Sequence, residues 1–276
     1  MVDINSAKAN IETAGFLDLP VNPEIDLFAE IERLKKENVQ GIIMDLRDNG
    51  GGSLQTVVDM VGLFIDMGPV VQIRDKGGRS QVLYDETPGT LYDGPLVVMV
   101  NEFSASASEI FAGAIQDYKR GIVVGSKHSY GKGTVQNVID LNQFIRGNSY
   151  GDLGALKTTI QKFYRINGGS TQREGVMSDI IFPDRYTYLD MGERDEESAL
   201  PWDKIAPAKY EPLPISYDQI IANSKKRIAS NTYFNLIDEN AKWIFGWADQ
   251  WVLSKDETSV VKHGTPVLVF GNYNRS

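Results

Sequence analysis

The chain has 276 residues, a formal net charge of −9 and no cysteine, with 42% apolar and 24% charged residues. That length and balance specify a folded globular protein with a sizeable core, and the acidic sign argues against a nucleic-acid or anionic-membrane partner. Without cysteine there are no disulfides, thiolate nucleophiles or Cys-based metal sites, and two histidines, His128 and His263, leave little for a multi-histidine metal centre.

From Gly15 to Asp45 the pattern reads strand, helix, strand. A short apolar run at Phe16–Leu19 is followed by Leu27, Ile31 and Leu34 at helical spacing and then by Ile42–Leu46. Val57, Val58, Val61, Phe64 and Ile65 form a second amphipathic helix, stopped at Gly68-Pro69. Val70–Ile73, Gln81–Tyr84 and Leu96–Val100 read as strands, the last a continuous buried-type run. A third helix over Ser106–Tyr118 places Ala107, Ile110, Phe111, Ala114 and Ile115 on one face. Ile122–Val124, Thr134–Ile139 and Ala155–Tyr164 complete the strands, so residues 1–185 form an α/β core. Residues 186–276 form an extension that is polar and proline-punctuated to Pro214 and helical in period from Tyr217 to Trp247. Lys225, Lys226 and Arg227 read as a solvated helix face.

Three segments could carry chemistry. In Asn101-Glu-Phe-Ser-Ala-Ser-Ala-Ser-Glu-Ile110 a buried strand runs through small residues straight into a helix. A serine there has its hydroxyl beside unpaired N–H groups and the positive end of the helix dipole, which favour developing negative charge. The competing reading is that Ser104, Ser106 and Ser108 only cap the helix. In Ser129-Tyr-Gly-Lys-Gly-Thr-Val-Gln136 glycines flank a lysine at the start of a strand. If that strand is regular, Lys132, Thr134 and Gln136 share a face. Lys132 is then either a side chain snorkelling at a sheet edge or a base desolvated enough to lose its proton. The second role needs its pKa to fall from about 10.4 to roughly 7–8. In Asp45-Leu-Arg-Asp-Asn-Gly-Gly-Gly52 three glycines follow a buried strand, as a tight turn or as an anion or oxyanion site built from backbone N–H groups. The Gly-Lys-Ser/Thr ending of a phosphate loop is absent.

Together these segments resemble the tail-specific, or carboxy-terminal processing, peptidases of the S41 family of serine proteases, in the long bacterial form. The resemblance runs from about Gly15 to Trp202 and includes Gly94-Pro-Leu-Val-Val, Phe103-Ser-Ala-Ser-Ala-Ser-Glu-Ile-Phe, Tyr130-Gly-Lys-Gly-Thr-Val-Gln and Ile160-Gln-Lys-Phe-Tyr-Arg-Ile-Asn-Gly-Gly-Ser-Thr-Gln. It implies a ClpP/crotonase-like α/β superhelix with a helical C-terminal extension. It also implies Ser106 as nucleophile, Lys132 as general base and Gln136 as the residue orienting the lysine. The oxyanion hole would come from the backbone N–H groups of Ala107 and of Gly51 in the glycine run.

The family's activity implies cleavage of unfolded polypeptides with apolar C-termini through an acyl-enzyme, without metal or cofactor, in the periplasm or cell envelope. Its peptide-binding PDZ module has no counterpart in this sequence, and neither an adaptor nor an oligomeric state is assigned. Two other readings stand beside it: a non-catalytic peptide-binding fragment, and a crotonase-type acyl-CoA enzyme, which would need a carboxylate acid/base and cationic contacts to CoA phosphates. An aspartate at the position of Asp117 has been discussed as functional in the family. Eleven helical residues, about 16 Å along the axis, separate it from Ser106, so Asp117 reads as structural. His128, four residues before Lys132, is the rival base and reads as a loop residue.

Overall fold

The computed structural model describes residues 27–144, 151–189 and 191–250. The expected strand at Phe16–Leu19 lies outside them. The first helix, α1 (Leu27–Lys36), buries Ile31 and Leu34 and leaves its charged residues outside, where Arg33 pairs with Glu30 and Glu37 and Lys35 with Glu32. It leads into β1 (Ile42–Asp45). The glycine run follows, and α2 (Leu54–Gly62) then starts at Ser53, whose hydroxyl accepts from Thr56 N–H.

Next come β2 (Gly68–Asp75), β3 (Ser80–Asp85), β4 (Leu96–Val100), α3 (Ala107–Asp117), β5 (Ile122–Gly125), β6 (Thr134–Asp140), β7 (Ala155–Tyr164) and a two-residue β8 (Ile180–Ile181). Two four-stranded sheets result. One is parallel, in the order β1-β4-β5-β8, and the other is antiparallel, in the order β3-β2-β7-β6. The α/β class read from the sequence is the one observed.

The core joins one face of the parallel sheet (Met44, Leu46, Val98, Val100, Val123) to α2, α3 and the inner residues of β2 and β7. Within it α3 is buried on every side, from Ala107 through Ile115. A helix with apolar or small residues on most of its surface belongs in the interior, and the small residues Ala107, Ala112, Gly113 and Ala114 let the neighbouring layers approach it closely. Its end is tied by Asp117, which accepts from Arg165 Nε and Nη2 at 3.0 and 2.6 Å and from Asn167 at 2.8 Å. Asp117 is therefore a structural anchor between α3 and the segment after β7, as its distance from Ser106 suggests.

The helical part of the extension is interrupted. Residues 191–217 run without an α-helix, and the helical stretch divides at Asn231 into α4 (Asp218–Ser230) and α5 (Thr232–Gln250). Asn231 takes an extended backbone (φ −85°, ψ 120°), and its side-chain oxygen accepts from the N–H groups of Tyr233 and Phe234, starting the second helix. Periodicity alone runs through this break because both helices place apolar residues at the same spacing. Ile221 and Ile228 of α4, with Tyr217, pack over Ile122, Val124 and Ile180 on the outer face of the parallel sheet.

Candidate active site

The three serines after β4 take distinct roles. Ser104 is fully buried, donating to Leu46 O (2.7 Å) and accepting from Asn101 N–H (2.9 Å). Ser108 is equally buried and donates to Asn49 O at 3.1 Å. Ser106 alone is half-exposed, and its backbone lies at φ 58°, ψ −114°. A non-glycine residue there stores strain of about 1–3 kcal/mol. The turn holds that residue at the mouth of α3.

Glu109 caps the turn from within the helix. Its carboxylate is fully buried and accepts four donors: Ser106 N–H (2.8 Å) and Lys132 N–H (3.0 Å) on Oε2, and Ser129 Oγ (2.6 Å) and Gly131 N–H (2.7 Å) on Oε1. One oxygen thus holds the backbones of Ser106 and Lys132 two hydrogen-bond lengths apart at most. Burial pushes this carboxyl up to about 7, opposed by the four donors. The Ser-x-x-Glu spacing from Ser106 to Glu109 is the pattern of a helix capping box, so the bond to Ser106 N–H was available from sequence. The bonds to the lysine segment were not, because they join residues twenty or more positions apart. Glu109→Ala should leave three N–H groups and a hydroxyl without their acceptor, each worth about 1–3 kcal/mol when buried. A thermal-unfolding scan should therefore show a lowered midpoint, accompanied by lost activity.

Lys132 is half-buried, in the loop just before β6. Burial, with the nearby Lys157, lowers its pKa, while Glu193 and Glu109 act in the opposite direction. Among the described residues no hydrogen bond joins its ammonium to Ser106 Oγ. The face shared by Lys132, Thr134 and Gln136 is not observed. Lys132 precedes the strand, Thr134 is buried and Gln136 is exposed, and the pairing of β6 with β7 shifts register between Val135 and Gln136. Beyond that shift the hairpin leaves the core, exposing Val138 and Leu156. Gln136 makes no hydrogen bond to Lys132 among the described residues.

Gly51 is brought onto Ser106. At φ 103°, a Cβ on it would lie 2.7 Å from Ser106 Cβ and 2.8 Å from Ala107 N, so glycine is required by both backbone and contact. Its own N–H donates to Asn49 Oδ1 at 2.9 Å. Asn49 is fully buried, and its carbonyl also receives Ala105 N–H and the Ser108 hydroxyl. The glycine turn is thus locked to the turn at Ser106. His128, the rival base, sets its ring Nδ1 3.1 Å from Ser129 O and bridges to Met177. Its pKa is lowered by burial and by Arg194.

The model for peptidase family S41 matches residues 9–182, and a model for the C-terminal domain of tail specific protease matches residues 186–254. A tail-specific protease of Haemophilus influenzae is 48% identical over 216 residues, which is 76% of this chain and 31% of that protein. A carboxy-terminal-processing protease of Bartonella bacilliformis is 34% identical over 164 residues, 58% of this chain and 36% of that protein. The solved photosystem II D1 C-terminal processing protease aligns with 31% identity and a TM-score of 0.48, covering 56% of this chain and 37% of that one. The chain spans about a third of the length of the curated relatives it matches.

Proposed function

Since the chain belongs to peptidase family S41, we propose that it is the catalytic part of a serine endopeptidase working through Ser106 and Lys132. Neutral Lys132 takes the Ser106 proton and Ser106 Oγ attacks a peptide carbonyl. The amine leaves with a proton returned from Lys132, and water then hydrolyses the acyl-enzyme. The oxyanion is assigned to the N–H groups of Ala107, at the positive end of α3, and of Gly51. For the second donor to serve, Gly51 N–H must exchange Asn49 Oδ1 for the oxyanion. Gln136 is the residue assigned to orient Lys132, a role that requires the exposed start of the β6–β7 hairpin to fold towards the loop. The observation that carries this reading is the difference among three neighbouring serines. Two have hydroxyls committed to backbone carbonyls, while the third is strained, half-exposed and tied through Glu109 to the lysine's backbone.

The substrates we assign are unfolded polypeptides with apolar C-termini, and the compartment is the periplasm or cell envelope. A second reading has its own support. The missing Ser106–Lys132 hydrogen bond, the engaged Gly51 N–H and the exposed Gln136 suit a fragment that binds chains without cutting them. Incubating the full chain with an unstructured polypeptide ending in apolar residues, and with the same polypeptide ending in charged residues, separates the two. The peptidase reading expects cleavage of the first and little of the second. Binding of the apolar-tailed polypeptide with no cleavage, identical to that of Ser106→Ala, would establish the binding fragment instead.

A further inference from the structure

We infer that the first turn of the C-terminal region, Gly192–Glu196, is part of the catalytic apparatus, with Glu193 a positioning residue that clamps the Lys132 loop through Gln172. The inference rests on Lys132 being the base. It also reaches across the boundary between the two family matches, since Glu193 lies in the C-terminal one and Lys132 in the peptidase one.

The backbone around Lys132 is held from two sides. On the α3 side Glu109 takes the N–H groups of Gly131 and Lys132. On the other side the segment after β7 takes most of what remains. Arg173 N–H donates to Gly131 O (2.7 Å), and Thr171 Oγ1 donates to Lys132 O (2.9 Å). Gln172 Oε1 accepts Gly133 N–H (2.9 Å). Gln172 is fully buried, so its amide has to be satisfied at both ends. The far end is satisfied by Glu193, whose Oε1 accepts from Gln172 Nε2 at 3.0 Å.

Glu193 also reaches the loop directly, donating its N–H to Tyr130 O at 2.9 Å. The preceding residue makes this approach possible. Gly192 lies at φ 124°, and a Cβ there would sit 2.3 Å from Tyr130 O. In sequence, Glu193-Arg-Asp-Glu-Glu197 looks like an ordinary solvated charge run. Its first carboxylate is held by the buried Gln172.

The charge matters as well as the contact. The groups acting on Lys132 are Glu109 from α3, Lys157 from β7 and Glu193 from this turn, together with burial. Burial and Lys157 favour the neutral amine, and the two carboxylates favour the ammonium. Removing the Glu193 charge therefore lowers the Lys132 pKa, while removing the Lys157 charge raises it.

The test compares Glu193→Gln, which keeps an acceptor for Gln172 without the charge, with Glu193→Ala, which removes both. The titration of Lys132 is followed directly in the full chain by NMR of ε-13C-labelled lysine, its signal assigned by absence in Lys132→Arg. Both variants should titrate at lower pH than wild type and Lys157→Met at higher pH. Glu193→Ala should in addition lose kcat by roughly tenfold relative to Glu193→Gln as the loop loosens. A Lys132 titration unmoved in both Glu193 variants, or equal kcat in the two, overturns the clamp. Full activity in Lys132→Ala overturns the lysine-base reading instead, and the NMR titration would still report whether the clamp exists.

Discussion

Ser106→Ala is expected to lower peptide hydrolysis by about a thousandfold or more, because no acyl-enzyme can form without the hydroxyl. The fold should persist, since alanine meets the same backbone strain at φ 58°. Ser104→Ala and Ser108→Ala should behave in the opposite way. Each breaks a buried bond to a backbone carbonyl, costing about 1–3 kcal/mol of stability, but neither removes the attacking group. Measuring kcat/KM and the unfolding midpoint for all three variants gives two orderings that should run against each other. An active Ser106→Ala, or a stable and inactive Ser108→Ala, would move the nucleophile away from position 106. Ser106→Gly adds a control, because glycine relieves the strain and should unfold at higher temperature than Ser106→Ala while being equally inactive.

Substitution of Lys132 should be as severe. Lys132→Ala removes the base, and Lys132→Arg supplies a guanidinium that stays protonated at any working pH. Loss of activity is expected to be nearly complete in both, with His128→Ala close to wild type. The pH dependence follows from the direction of the Lys132 shift. Burial disfavours the ammonium, so the amine becomes neutral at a lower pH than an exposed lysine would. The working form is the deprotonated one, so kcat/KM should be small in acid, rise with pH as Lys132 loses its proton, and then level off. The rise should have the slope of one proton. A profile flat from acid to alkaline pH, or an active Lys132→Arg enzyme, rules out Lys132 as the base.

How much of this was legible in the sequence depends on how local each feature is. Strands β4 and β7 were bounded to the residue by their apolar runs and flanking turns, because both signals are local. The strand-to-helix turn at Ser106 could be read because a buried strand, three small serines and a helix follow one another without a loop. The strain at Ser106 could not be read, since it comes from Glu109, Gly51 and Asn49 closing around it. The face that Lys132 and Gln136 were expected to share is absent for a similar reason. The period of two describes a strand lying flat on a core, whereas β6 leaves the core after Val135 and pairs with a register shift. The break at Asn231 was hidden because two helices in phase present one continuous apolar pattern.

The burial of α3 makes the two halves of the site mechanically unequal. Ser106 is carried at the end of a helix enclosed by both sheets and anchored at its far end to Arg165, so displacing it would mean repacking the interior. The Lys132 backbone is held by Glu109 and Thr171, but its half-buried side chain stands at the root of a hairpin that projects into solvent, where a change of rotamer disturbs few apolar contacts. Any adjustment of the gap between hydroxyl and amine is therefore made by the lysine's side of the molecule. The serine serves as the fixed reference against which the lysine amine is brought in or withdrawn.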